Sequence, residues 1–174
     1  MCLLCGNTGE GAHTVAISQR PRQLLGGLWW RGTFAEAASG ATREVVGAVR
    51  DFSDARASDW KSPIVGLSRN DRADGFDYFV GIAVDEGEGL PDGYERLDLP
   101  QMTVASSWHG PDDGDVPAHY GRMIDWLHRN GHRRDVSLFH HREEIRTIWT
   151  LPRRRRCVFC CRSPTPDGRS LRGT

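Results

Sequence analysis

The chain has 174 residues, 38% of them hydrophobic and 26% charged, with a formal net charge of zero. That length suits one domain, or two small halves sharing a core. The apolar runs fall far short of the ~20 residues of a membrane span, and the mildly acidic body before residue 153 makes a poor nucleic-acid binder by charge alone. Met1 to Ala12 lacks a basic start followed by an apolar stretch, so the expected compartment is the cytoplasm, with the five cysteines reduced.

Residues 1–12 read as a small leader carrying Cys2-x-x-Cys5. Thr14 to Ala16 and Gln23 to Phe34 look extended, and Gly26-Gly27 predicts a bulge or a close backbone approach. After Ser39-Gly40, the spacing of Val45, Val49 and Phe52 predicts a helix that fades near Ala55–Ser58. Pro63 to Ser68 predicts a short strand, and FDYFVGIAV at 76–84 a second one with period-two alternation. An acidic, Gly/Pro-containing linker fills 85–93.

The same order then returns. Tyr94 to Trp108 predicts a strand, and His109 to Asp113 a turn. A helix follows, with Asp115 as N-cap, Pro117 in its first turn and an apolar stripe of Tyr120, Met123, Ile124 and Leu127. Asn130-Gly131 stops that helix. Val136–His140 and Ile145–Leu151 predict a final hairpin turning at His141–Glu144. Residues 153–174 hold 7 of the 23 basic side chains and one acid, Asp167, and read as a flexible, Cys-rich basic tail.

Laid together, Trp30-Arg31-Gly32 meets Trp108-His109-Gly110, and Val45, Val49 and Phe52 meet Tyr120, Ile124 and Leu127. FDYFVGIAV meets IRTIWTL. The chain is thus expected to be α+β: two strand–helix–strand–strand modules, 13–85 and 94–152. They would form a pseudo-twofold curved antiparallel sheet with two helices on one side.

Four stretches in series, FDYFVGIAV, LPDGYERLDLPQMTVASSWHGP, HYGRMIDWLHRNG and SLFHHREE, resemble the GyrI-like (gyrase-inhibitory-protein-like) effector-binding domains, also found in AraC-type and MerR-type multidrug-sensing regulators. The resemblance covers roughly residues 13–151. It implies an aromatic-lined groove between the modules that takes bulky, planar or cationic compounds. Some relatives hydrolyse cyclopropanoid DNA-alkylating natural products, and a protein-interaction role affecting gyrase or a regulator is a further alternative. No DNA-binding domain is recognisable in this chain, and no membrane partner is expected. His140 stands where many relatives place a buried glutamate, with Glu143 or Glu144 able to substitute if the hairpin is shifted.

The candidate ligand-binding residues are Trp30, Trp60, Tyr78, Trp108, Phe139, His141 and Glu143. Aromatic faces stack on flat ligands and attract cations, and the polar groups would anchor them. Glu144 and His140 are the candidate acid/base pair should chemistry follow binding. Trp126 is assigned to the core, and His109 and His119 to the surface or to helix capping. Cys2, Cys5, Cys157 and Cys160 have the half-site spacings of a four-thiolate zinc site, although about 150 residues separate the pairs. The other reading of these cysteines is reduced thiols with no cofactor.

Overall fold

The computed structural model describes residues 14–56, 62–69, 72–110, 113–145 and 155–162. Its first half comprises β1 (Ala16–Arg20), β2 (Gln23–Thr33), α1 (Phe34–Ser39), α2 (Thr42–Ala55), β3 (Ile64–Arg69) and β4 (Gly75–Ala83). The second half comprises β5 (Glu95–Leu99), β6 (Met102–His109), α3 (Val116–Arg129), β7 (Arg133–Arg134), β8 (His141–Ile145) and β9 (Arg155–Arg162). Every pairing is antiparallel, in the order β1-β6-β9-β8-β3-β4-β2-β5, with β7 beside β9. This is the expected α+β duplication, with a short additional helix, α1.

Local chemistry sets the helix ends. Thr33 and Glu36 form a capping box that starts α1, and Gly40, at φ 98°, ends it. The Asp115 side chain accepts from the Ala118 amide at the start of α3, with Pro117 in the first turn. Gly26-Gly27 resolves as a close approach. The β2–β4 register runs unbroken from Leu25 to Thr33, and a β-carbon on Gly27 would strike the Val80 carbonyl.

The repeat unit is larger than expected, because each module also contributes a leading strand to the other. β1 pairs with β6 of the second half, and β5 pairs with β2 of the first. Only Pro21-Arg22 joins β1 to β2, and only Pro100-Gln101 joins β5 to β6. Each link spans at most about 11 Å, yet its two strands lie near opposite ends of the strand order. The sheet therefore curls until its ends approach. Leu25, Val65, Leu67, Phe79, Leu99 and Phe139 pack on the face away from the helices. On the other face, Val45 and Val49 of α2 pack on Ile64, Val80 and Ile82. Tyr120, Met123 and Leu127 of α3 pack on Ala105, Cys157 and Phe159.

The largest correction concerns the C-terminal segment. Residues expected in a flexible basic tail form β9, inserted between β6 and β8. β9 holds the place in the second module that β4 holds in the first, so FDYFVGIAV corresponds to this strand and not to IRTIWTL. The physical reason is the run Cys157-Val158-Phe159-Cys160-Cys161, buried on both faces and flanked by arginines that reach partners at the rim. The final hairpin shifts with it. Residues 135–140 are irregular apart from their links to neighbours, and His141–Glu144, expected as the turn, lie in strand β8. Residues 146–151 of the expected last strand lie outside the described residues, as do Trp60, Cys2 and Cys5.

Candidate functional site

The two modules meet where β3 pairs with β8. Strand registers and the facing of side chains match Gly66 to Glu143, which are also direct cross-strand partners, so the pseudo-twofold axis passes between them. Above this seam, on the helix face, lies a groove of about 560 Å³. Its floor comprises Gly66 and Ser68 of β3, Phe76 and Tyr78 of β4, His141 and Glu143 of β8, and Arg155 of β9. One wall is Ala37 and Thr42 from α1 and the start of α2. The other is Val116, Pro117, Tyr120, Gly121 and Ile124 of α3.

Tyr78 lies across Gly66. A β-carbon on Gly66 would overlap the phenol oxygen, so glycine is required for this ring to rest on the floor. Burial, reinforced by the Glu143 charge, pushes the Tyr78 phenol well above its usual range, so it stays a neutral donor. Tyr120 donates to the Arg142 carbonyl at 3.1 Å, and its ring meets His141 at 4.7 Å between centroids. His141 Nδ1 lies 3.2 Å from Ser68 Oγ. Burial, then the Arg134 charge and His140, lower the His141 pKa to about 4, so this imidazole is neutral near pH 7. Arg155 Nη1 donates to both Glu143 oxygens, at 3.3 and 3.2 Å. Phe34, Phe76 and Tyr78 form a run of rings from the surface to the floor, at centroid spacings of 5.5 and 6.1 Å.

Of the expected ligand-binding residues, Tyr78, His141 and Glu143 come together here. Trp30 sits one ring back, against Phe76 at 5.3 Å. Trp108 does not line the groove. The expected match of Trp30 with Trp108 is one residue out of register, and one residue reverses the face in a strand. Trp108 matches Trp29, and Trp30 matches His109. Trp108 therefore lies on the far face, under the Arg156 guanidinium at 4.5 Å. Phe139 is buried in the far-face core.

The expected acid/base pair is not in the groove. Glu144 points to the far face, where Arg20 Nη2 lies at 3.1 Å, Arg142 Nη2 at 3.0 Å and Arg156 Nη1 at 3.7 Å. A buried carboxylate requires such partners, and the three guanidinium groups supply them. The His140 amide donates to the Ser68 carbonyl at 2.6 Å, and this residue does not line the groove. His109 and His119, expected at the surface or as helix caps, are both buried, their rings 5.1 Å apart, and the N-cap of α3 is Asp115.

The strand also separates the C-terminal cysteine pair. Three residues apart in β9, Cys157 faces Tyr120 and Cys160 faces the opposite side, with its sulfur 3.3 Å from Met102 Sδ. These two thiols cannot share one ion. Burial raises both to about 11, so they are inert thiols. Among the described residues, no group of three or more His, Cys, Asp or Glu is arranged to hold a metal. No described helix is long and apolar enough to cross a membrane.

A family model described as the GyrI-like small molecule binding domain matches residues 13–145. The chain belongs to the GyrI-like family. Solved structures share the GyrI-like fold at low identity. The EcmrR C-terminal domain aligns with a TM-score of 0.61 and 14% identity, over 86% of this chain and 98% of that one. SAV2435, solved with bound tetraphenylphosphonium, aligns at 0.60 and 12%, over 86% and 94%. A structure described as a hydrolase from Listeria innocua aligns at 0.55 and 7%, over 85% and 91%. The chain spans 57% of the EcmrR chain in its complex with DNA. No curated protein sequence matches it.

Arg155 carries no site signal in the sequence, because a run of four arginines, 153–156, has the composition of a solvated tail. Tyr120 was visible as a helix-stripe residue, but its apolar spacing is the same for a core residue and for a groove wall.

Proposed function

We propose that the groove over the β3–β8 seam binds a hydrophobic, aromatic compound, neutral or cationic, and that the domain serves in sensing or sequestering such compounds. The observation that carries this reading is the 560 Å³ groove itself, with rings from Phe76, Tyr78 and Tyr120 and a small set of polar anchors. That volume falls within the ~300–1,000 Å³ typical of small-molecule sites. The tetraphenylphosphonium held by SAV2435, a protein of the same fold, supports an aromatic ligand class. The hydrolytic alternative would rest on Glu143 as base. Arg155 engages both oxygens of that carboxylate, which favours binding over hydrolysis.

Gly121 provides the test. It lines the groove on α3, and a β-carbon there has nothing within 4 Å. Gly121→Phe fills the groove, and a helical glycine is lost without a clash. By calorimetric titration of a panel of charged and neutral aromatic compounds, the variant is expected to bind at least about tenfold more weakly, a change of 1.4 kcal/mol, with its melting temperature unchanged or higher. Equal binding by the variant and the parent protein rejects the groove as the site.

A further inference from the structure

We propose that Arg155 is a resident countercharge that makes the groove electrically neutral and sets which ions it admits. The inference rests on the groove being the ligand site. Glu143 stands on the pseudo-twofold axis with its side chain 20% exposed, and Arg155 reaches it from the mouth with 42% exposed. They carry the two formal charges among the described lining residues, one of each sign. His141 adds none at neutral pH.

The duplication makes this pairing specific to the second module. Registers and facing match Arg155 to Tyr78. A phenol thus occupies the position in the first half that a guanidinium occupies in the second. A lipophilic cation approaching Glu143 meets a guanidinium already in place. A lipophilic anion that accepts from Arg155 is brought beside the Glu143 carboxylate, which repels it. A neutral aromatic compound carrying a hydrogen-bond acceptor meets neither penalty, because a guanidinium has donors to spare beyond those on Glu143. The favoured class is therefore a neutral aromatic with an acceptor group. The half-exposed pair is weak enough to exchange, so charge selectivity can be rewritten by removing either member.

Tetraphenylphosphonium and tetraphenylborate, similar in shape and opposite in charge, test this directly. Each is titrated into the full chain and into Arg155→Gln, Arg155→Lys and Glu143→Gln, counting only binding that Gly121→Phe abolishes. The parent protein is expected to bind the two ions within about tenfold of each other. Arg155→Gln is expected to move the ratio toward the phosphonium by at least about tenfold, and Glu143→Gln toward the borate by as much. Arg155→Lys keeps the charge and is expected to keep the parent ratio. Groove-dependent binding whose ratio is the same in the parent, Arg155→Gln and Glu143→Gln overturns the countercharge role while leaving the groove as the site. Failure of every aromatic compound to bind the parent chain overturns both.

Discussion

Tyr78 and Arg155 hold matching places in the two modules and bring opposite chemistry to one groove. Around the first module's half of the floor stand Phe76, Tyr78 and Gly66, with Ser68 turned to His141 at the seam. Around the second module's half stand His141, Glu143 and Arg155. The backbone frame is shared: β2, β3 and β4 correspond to β6, β8 and β9 in the same order out from the axis. A common frame with divergent surfaces gives the site an apolar side that contributes area and a polar side that contributes orientation. The division also separates stability from recognition, because each module keeps its own apolar layer under its own helix.

The strongest way to break the comparison is to remove β9. A chain truncated before Arg155 leaves β6 and β8 each with an unpaired edge and exposes Cys157, Val158 and Phe159 partners across both faces. The expected result is loss of a cooperative thermal transition by circular dichroism; a truncated chain melting like the parent would mean that β9 is no counterpart of β4. Next in size is Gly66→Ala, which forces Tyr78 off the floor. It is expected to cost about 1–3 kcal/mol in denaturant unfolding. Part of that should return in the double variant with Tyr78→Phe, since the phenol oxygen is the nearest obstruction.

The smallest effect sharpens the polar half. The unfolded His141 takes up its proton near pH 6.5 and the folded one near 4. The unfolded state therefore binds more protons between those values, and the stabilisation present above pH 6.5 is lost as pH falls toward 4. Unfolding measured at pH 7 and pH 5 should show a smaller fall for His141→Gln than for the parent. An identical fall would indicate that the imidazole is not held neutral by the fold.

Much of the first module was readable from pattern alone. Val45 and Val49, three and four residues from their neighbours, bury one face of α2, and the alternation in FDYFVGIAV marks β4. The second module resisted for a physical reason. β8 reads His-Arg-Glu-Glu-Ile, which resembles a solvated turn until Arg20, Arg155 and Arg156 arrive from distant segments to pair with it. In β9, arginines at both ends hid an apolar run whose burial on two faces leaves no alternation to find. At the strand ends, the repeated Trp-x-Gly pattern drew Trp30 onto Trp108, and only the side-chain facing separates them. The family resemblance was legible because it rests on order along the chain, which survives a register error of one residue.

The pair on the axis, Gly66 and Glu143, depends on both copies lying in one chain. Two separate identical subunits would place the same residue on both sides of a twofold axis. Paired glutamates would repel across the seam, and paired glycines would leave the centre without a polar group. Joining both copies in one chain frees the two positions to diverge. A single carboxylate can then stand at the centre, with a ring from the other copy lying over the glycine beside it. One chain carrying both copies can thereby build an asymmetric site that a symmetric dimer of either half could not.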